Sequence, residues 1–185
     1  MSDDAVLAVI DALEELAIGY MLVGSFSTNA YGMPRSTEDA DFVVQLGETA
    51  IATLASRLKP SFTLDPQSGF EMVTATTKYI LQYNETAFTI ELFLLSSDPH
   101  DLARFERRRR IAHLGRSIVV PSVEDVVVTK VRWLHSQHRA KDREDLENVI
   151  GVQRANIDWK YVHRWCDEHG TRELLDEILN AVDEV

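Results

Sequence analysis

The stretch GSFSTNAYGMPRSTEDADFVV, residues 24–44, carries most of what the sequence says about the fold. The apolar residues 20–23 just before it predict a short strand. Gly24 and Ser25 then mark the turn into a short helix, since a glycine allows the sharp change of direction. Residues 40–44 predict a second strand. The stretch is therefore a strand–helix–strand unit, and its polar residues lie where the elements meet.

Two aspartates, Asp39 and Asp41, stand at the start of the second strand. Side chains two residues apart in a strand share a face and lie about 6.5–7 Å apart along the chain. Both carboxylates can therefore reach one divalent ion, or hold two ions between them. Oxygen ligands of this kind suit Mg²⁺, which keeps open positions for phosphate oxygens.

The Gly24-Ser25 pair complements these acids. It lies at a strand-to-helix junction, where free backbone N–H groups and the helix dipole favour a phosphate. Glycine lets the backbone approach the ligand closely, and the serine hydroxyl adds a donor. A phosphate cradle followed by paired carboxylates is the arrangement that metal-assisted phosphoryl transfer requires.

Glu91 is the candidate for a third acid, which a two-ion site needs for its nucleophile-side metal. It interrupts the otherwise apolar residues 90–95, which predict a buried strand. Because an isolated buried charge is costly, Glu91 must be paired, bound to metal, or at a water-facing edge of the sheet.

A lysine and an aspartate break the apolar pattern of two later helices. At 100° per residue, Lys130 falls in the middle of the inward stripe of its helix. Asp142 falls on the inward side of the next helix. The two side chains could form a structural ion pair, or they could line a cleft in which Lys130 contacts a phosphate.

The remaining elements predict an α+β fold, a mixed sheet flanked by helices with a helical C-terminal region. Residues 1–121 are expected to form the core, and residues 122–185 to pack on it as one compact unit. Besides a first helix near the N-terminus, the pattern predicts a helix at 48–58, strands at 70–74, 79–83 and 87–95, a helix at 101–107, an extended stretch at 111–120, and helices at 123–137, 141–151, 159–169 and 172–182.

Composition restricts the class of protein. The formal net charge of −11 disfavours a protein that grips a long stretch of nucleic acid. A single cysteine, Cys166, excludes a disulfide framework. No apolar run is long enough to span a membrane, and the acidic start lacks the layout of a signal peptide, so a cytoplasmic protein is expected. The basic run at 104–110 is either a solvated surface segment or a phosphate contact.

Residues 24–44 resemble the signature of the polymerase-beta-like nucleotidyltransferase superfamily, an apolar residue followed by Gly-Ser and then Asp-x-Asp on a strand. The further patterns Gly-x-Pro-Arg-x-Thr-x-Asp-x-Asp at 32–41 and Lys-Asp-x-x-Asp-Leu at 141–146 are similar to one branch, the abortive-infection toxin-type nucleotidyltransferases and related bacterial domains. The resemblance covers roughly residues 18–150.

This resemblance implies transfer of a nucleoside monophosphate from a nucleoside triphosphate to an acceptor hydroxyl, with release of pyrophosphate. It implies catalytic metal ligands at Asp39, Asp41 and Glu91, with Mg²⁺ as the cofactor. The nucleotide contacts that it implies are Gly24, Ser25, Arg35, Lys130 and Asp142. A toxin-type role would make the acceptor an RNA end and would involve an antitoxin partner.

The sequence also departs from the family pattern, because its third acid is a glutamate where aspartate is more usual. Two other functions stay open. One is a nucleotidyltransferase with a small-molecule or protein acceptor, which the acidic net charge favours. The other is a non-catalytic relic that binds a nucleotide or a partner, although the full set Ser25, Asp39 and Asp41 argues against decay.

Overall fold

The secondary structure follows the predicted order closely. The computed structural model describes residues 2–47, 51–113, 115–138 and 140–182. Residues 48–50 of the helix predicted at 48–58 lie outside the described residues. The elements are α1 (Ser2–Glu15), β1 (Gly19–Val23), α2 (Gly24–Tyr31), β2 (Asp39–Gln45), α3 (Ile51–Leu58), β3 (Phe62–Leu64), β4 (Gly69–Glu71), β5 (Thr76–Tyr83), β6 (Thr89–Leu94), α4 (Pro99–Glu106), β7 (Arg109–His113), β8 (Arg116–Val120), α5 (Val123–Gln137), α6 (Ala140–Gln153), a 3₁₀ turn (Arg154–Asn156), α7 (Trp159–Glu168) and α8 (Arg172–Ala181).

A six-stranded mixed sheet forms the centre of the fold. Its main path runs β1-β2-β6-β5-β3, and β4 pairs with β5 beside β3. The β2–β6 pair is parallel, while the other pairs are antiparallel. In this register Asp41 lies between Val23 on β1 and Glu91 on β6. Register partners share a face of a sheet, so Asp41 and Glu91 point to the same side. The sheet and its helices confirm the predicted α+β class.

The opposite face of the sheet carries the main apolar core. Side chains from β1, β2 and β6 alternate between the two faces, and those on this side are buried together with the apolar stripe of α1, except for the partly buried Leu94. The largest of them are Ile10, Leu13, Leu22, Phe42, Ile90 and Leu92. Burial of each such side chain is worth about 1.5–3 kcal/mol. This core fixes the register of the strands and therefore the position of the acids on the other face.

The C-terminal helices form a second core from α5, α6, α7 and α8. Its members include Val127, Val131, Leu146, Ile150, Val162 and Leu175. Ser122 caps α5, as predicted, by accepting a hydrogen bond from the Asp125 amide. None of the helices among the described residues is both long and apolar enough to cross a membrane.

A buried polar hub ties this second core to α4. Asp125 is fully buried, and its carboxylate accepts hydrogen bonds from Tyr161 at 2.7 Å and from Ser122 at 2.7 Å, while His100 Nε2 lies 3.3 Å away. Burial alone would raise the pKa of Asp125, but these hydrogen bonds hold it below its usual range. The hub joins α4, α5 and α7, which are far apart in sequence.

Three local predictions are corrected by the structure. The stretch predicted as extended at 111–120 is the hairpin β7–β8, with Gly115 in the left-handed conformation at its turn. The strand predicted at 70–74 is only the short β4, because its last residues form a turn back to β5. The strand β3 was missed, since three residues carry too little periodicity to be recognised.

Candidate active site

One cavity of about 690 Å³ opens between the acid-bearing face of the sheet and helices α5 and α6. Its volume lies within the range of about 300–1,000 Å³ that is usual for small-molecule sites. All eight residues that the sequence singled out line this cavity. They are Gly24, Ser25, Arg35, Asp39, Asp41, Glu91, Lys130 and Asp142. The structure therefore brings together residues that are up to 118 positions apart in the sequence.

Gly24 packs directly against the side chain of Asp41. Gly24 begins α2 with a φ of +59°, a left-handed conformation that residues with a Cβ rarely adopt. A Cβ at this position would lie 2.0 Å from Asp41 Oδ2 and 2.9 Å from its Cγ. Only glycine therefore fits. The start of α2, with its free N–H groups, lies directly against the carboxylate of Asp41.

The two aspartates of β2 form the floor of the cavity. Thr37 Oγ1 donates a hydrogen bond of 2.9 Å to Asp39 Oδ1. Neither Asp39 nor Asp41 takes part in an ion pair with any residue that the structure describes. Burial raises the pKa of Asp41 to about 7, with the negative charges of Asp39 and Glu91 adding to the rise and the Lys130 and Lys78 ammonium groups opposing it. The floor thus holds two acids that have no ion-pair partner among the described residues, with two lysine ammonium groups near enough to act on Asp41.

Glu91 lies beside Asp41 but faces a lysine that sequence analysis missed. Lys78 Nζ is 2.9 Å from both carboxylate oxygens of Glu91. The strand that carries Glu91 lies between β2 and β5, so the alternative of a water-facing edge strand is excluded. Sequence analysis did not select Lys78, because the predicted strand began at Tyr79. A strand that begins one residue later does not show that Lys78 shares a face of the sheet with Glu91.

Helices α5 and α6 contribute a compact set of paired charges. Lys130 Nζ donates to Asp142 Oδ1 and to Asp145 Oδ2, both at 2.8 Å. Arg35 binds the two oxygens of Asp145 from Nε and Nη2 at 2.7 and 2.8 Å. Burial alone would raise the pKa of Asp145, but hydrogen bonds from Arg35 and Lys130 hold it below its usual range. Asp145 is the second residue of the site that sequence analysis did not select, although it belongs to the Lys-Asp-x-x-Asp-Leu pattern at 141–146.

The sequence left two alternatives for Lys130, an ion pair with Asp142 or a position lining a cleft, and the structure shows both. Lys130 forms the structural pair with Asp142 and also lines the cavity. Arg35 reaches in addition to Ser25, whose Oγ accepts a hydrogen bond of 3.0 Å from Arg35 Nη2. Asp142 Oδ2 is buried and has no hydrogen-bond partner among the described residues. The cavity wall thus carries two cationic side chains, Arg35 and Lys130, that carboxylates hold in place. It also carries one carboxylate oxygen, Asp142 Oδ2, without a hydrogen-bond partner among the described residues.

The basic run at 104–110 is engaged mainly in structural contacts. Arg104 donates to Asp101 at 2.6 Å, and both side chains are buried. Arg107 lies 4.0 Å above the Tyr161 ring and contacts the carboxylate of Asp125. Arg110 pairs with Glu14 on α1. Of this run, only Arg104 lines the cavity, so the surface-segment interpretation fits most of these arginines better than phosphate contact.

The acids could hold one hard cation. Within the described residues, no three His, Cys, Asp or Glu side chains converge on a point that a metal ion could occupy. Asp39 and Asp41 nevertheless open onto the cavity without a cationic partner. Mg²⁺ is commonly bound by one or two carboxylates, with water and substrate phosphates completing its octahedron. The donor set therefore fits a magnesium ion that arrives together with a phosphate ligand.

Comparison with known proteins supports the architecture. No protein-family model matches the sequence, and a sequence comparison with curated proteins finds no significant match. Among solved structures, ANT(2″)-Ia in complex with adenylyl-2″-tobramycin is 10% identical, with a TM-score of 0.63 over 92% of this chain and 97% of that chain. An antigenic nucleotidyltransferase-like protein from Paracoccidioides brasiliensis is 18% identical, with a TM-score of 0.56 over 97% and 93% of the two chains. The chain therefore has the nucleotidyltransferase fold, which confirms the resemblance at the level of the fold.

Proposed function

We propose that this chain is a magnesium-dependent nucleotidyltransferase that moves a nucleoside monophosphate from a nucleoside triphosphate to an acceptor hydroxyl. The observation that carries the proposal is the contact between Gly24 and Asp41, where a Cβ would lie 2.0 Å from the carboxylate. A helix start that suits phosphate and a carboxylate that suits a divalent ion meet there at one point of the cavity.

Each residue of the site has a role in this proposal. Asp39 and Asp41 would hold Mg²⁺, which supplies Lewis-acid polarisation of the phosphoryl oxygens when bound. The N–H groups at the start of α2, with the Ser25 hydroxyl, would receive the phosphates. Arg35 and Lys130 add positive charge at the cavity wall.

Asp142 on the wall and the buried Asp145, which does not line the cavity, hold these cations in place. Asp142 Oδ2, which is buried without a partner among the described residues, is available to accept a hydrogen bond from the nucleotide. In the reaction, the acceptor oxygen bonds to the α-phosphorus, the bond to the pyrophosphate oxygen breaks, and the hydroxyl proton leaves to solvent.

Calorimetric titration tests the metal site. We expect Mg²⁺ to strengthen the binding of a non-hydrolysable nucleoside triphosphate analogue, and Asp39→Ala or Asp41→Ala to abolish this coupling, because water cannot replace the carboxylates at the same geometry. Glu38→Gln is the matched control, since Glu38 is an exposed acid next to Asp39. If metal-dependent affinity were the same in Asp41→Ala as in the unchanged protein, the assignment would be wrong.

The acceptor is the open part of the proposal. The resemblance to the toxin-type branch favours an RNA end, with an antitoxin as partner. The net charge of −11 favours a small molecule instead, since an RNA-binding surface is normally basic. The solved complex of ANT(2″)-Ia with adenylyl-2″-tobramycin, an adenylylated small molecule on the same fold, points the same way.

Label transfer separates these acceptors. The protein is incubated with Mg²⁺ and each α-labelled nucleoside triphosphate, with total RNA, aminoglycosides or a protein extract added in turn, and Asp41→Ala serves as the blank. Label in the RNA fraction supports the toxin-type role, and label in the small-molecule fraction supports the second acceptor class. Nucleotide binding without transfer to any fraction would support the non-catalytic relic.

A further inference from the structure

We infer that Lys78 takes the place of a second metal ion, so that the site binds one divalent cation, held by Asp39 and Asp41, and not two. This inference rests on the proposed function. It concerns a residue outside the predicted site, and it changes the expected role of Glu91 from a metal ligand to the carboxylate that holds the lysine ammonium.

The first support is the geometry of the ion pair. Lys78 Nζ lies 2.9 Å from Glu91 Oε1 and 2.9 Å from Glu91 Oε2, so the ammonium sits symmetrically on the carboxylate. The ammonium therefore fills the side of the carboxylate on which a divalent ion would bind both oxygens at once. A metal that used Glu91 as a bidentate ligand would have to displace the lysine.

The second support is the position of both residues inside the sheet. In the antiparallel β5–β6 pair, Lys78 is opposite Phe93 and Ile80 is opposite Glu91, which puts Lys78 and Glu91 diagonally on one face. The Lys78 ammonium also lies 5.6 Å from the centroid of the Phe93 ring. Only 26% of the lysine side chain and 24% of the glutamate side chain are exposed. The pair is therefore set by the register of two interior strands and not by a mobile surface side chain.

The third support is that the three acids do not converge. No cluster of three metal-binding side chains exists within the described residues, although Asp41 and Glu91 are direct register neighbours. When Asp39, Asp41 and Glu91 are all ionised, as metal binding requires, these three carboxylates and the Lys78 ammonium leave a charge of −2, which one divalent ion neutralises. The site has the charge and the ligands for one such ion, and Lys78 supplies the remaining positive charge as a fixed part of the protein.

Counting bound Mn²⁺ by electron paramagnetic resonance tests this inference, with a saturating non-hydrolysable nucleoside triphosphate analogue. We expect one Mn²⁺ per chain in the protein-bound fraction, after it has been separated from free analogue and the ions bound to that analogue. Lys78→Met should bind two, because Glu91, once released from the ammonium, can turn toward its register neighbour Asp41 and share a second ion with it. Lys78→Arg should stay at one, and so should Glu91→Gln, since that carboxylate does not hold the ion.

The outcomes separate the inference from the function on which it rests. Two ions in the unchanged protein, or loss of the single ion in Glu91→Gln, would overturn the role of Lys78 while leaving the metal site intact. One ion in a folded Lys78→Met protein would overturn it as well. A protein-bound fraction that contains no Mn²⁺ at all would overturn the proposed function itself. Should Lys78→Met not fold, as a far-ultraviolet circular dichroism spectrum would reveal, the unchanged protein and Glu91→Gln still decide the question.

Discussion

Two groups of four charged residues lie at the cavity, and they differ in the balance of positive and negative charge; all but the buried Asp145 line it. The acidic cluster, on the sheet, consists of Asp39, Asp41, Lys78 and Glu91. The balanced cluster, on the helix side, consists of Arg35, Lys130, Asp142 and Asp145. The first has three acids and one base, and the second has two of each.

This difference distinguishes the charged side chains that have ion-pair partners within the protein from those that are left to bind a ligand. In the balanced cluster every charged group has a partner, and all of its ion pairs are 2.7–2.8 Å long. In the acidic cluster Glu91 is satisfied by Lys78, whereas Asp39 and Asp41 are not. Uncompensated charge at a partly buried position costs stability and persists where function requires it. The imbalance, more than the number of charges, is what distinguishes the position proposed for the chemistry.

The largest expected effect comes from removing one charge of the acidic cluster. Asp41→Asn keeps the size of the side chain and should lower turnover by about a thousandfold or more, because an amide is a poor ligand for Mg²⁺ and carries no charge to hold it. The rate of label transfer measures this effect. Glu38→Gln, a neighbouring loss of one negative charge, should keep its rate. A nearly normal rate in Asp41→Asn would remove the contrast between the two clusters.

A smaller effect is expected from unbalancing the other cluster. Asp145 is 5% exposed and holds both Arg35 and Lys130, so Asp145→Asn should lower the free energy of unfolding by about 2–3 kcal/mol. Chemical denaturation measures this loss. The matched control is Glu147→Gln on the same helix, whose pair with Arg143 is about one-third exposed and should be worth less than about 1 kcal/mol. Equal effects of the two variants would show that the balanced cluster does not stabilise the fold.

The smallest effect is a gain in stability at the acidic cluster, and it depends on pH. The pKa of Asp41 is about 7 in the folded chain, against about 3.9 when unfolded. Between these values the folded chain keeps a proton that the unfolded chain has released, so the free energy of unfolding falls as pH rises and then levels off above about pH 7. Asp41→Asn removes this fall.

Asp41→Asn should therefore be more stable than the unchanged protein at about pH 8, and the difference should shrink until the two converge near pH 4. Thermal melts of both proteins across this range, without Mg²⁺ or nucleotide, measure the difference. Contributions from other titrating groups cancel, since they are common to the two proteins. A difference that does not change with pH would mean that Asp41 is not the group that titrates.

How much could be predicted depended on whether a feature was local in sequence. Gly24, Ser25, Asp39 and Asp41 belong to one strand–helix–strand unit, so their spacing alone places them together. Lys130 was predicted to point inward from the period of its helix, and it does. These predictions needed only the periods of a helix and a strand.

The missed residues depended on pairing between distant segments. Lys78 faces Glu91 only in the particular β5–β6 register, which a strand beginning at residue 79 could not reveal. Asp145 meets Arg35 across 110 positions of sequence, a contact that no helical period predicts. A sequence pattern therefore says least about which residues pair with the charged side chains of such a site. The reason is that many strand registers satisfy the same apolar pattern.

The buried hub at Asp125 has a consequence for how far the chain can be shortened. Tyr161 on α7 donates the 2.7 Å hydrogen bond to Asp125 on α5, the helix that also carries Lys130. A truncated chain that stops before α7 would leave a fully buried carboxylate short of a donor and open the apolar side of α5 to water. The last two helices, α7 and α8, are thus a necessary part of the folded chain. They complete the interior behind the cavity wall, and a minimal active fragment has to include them.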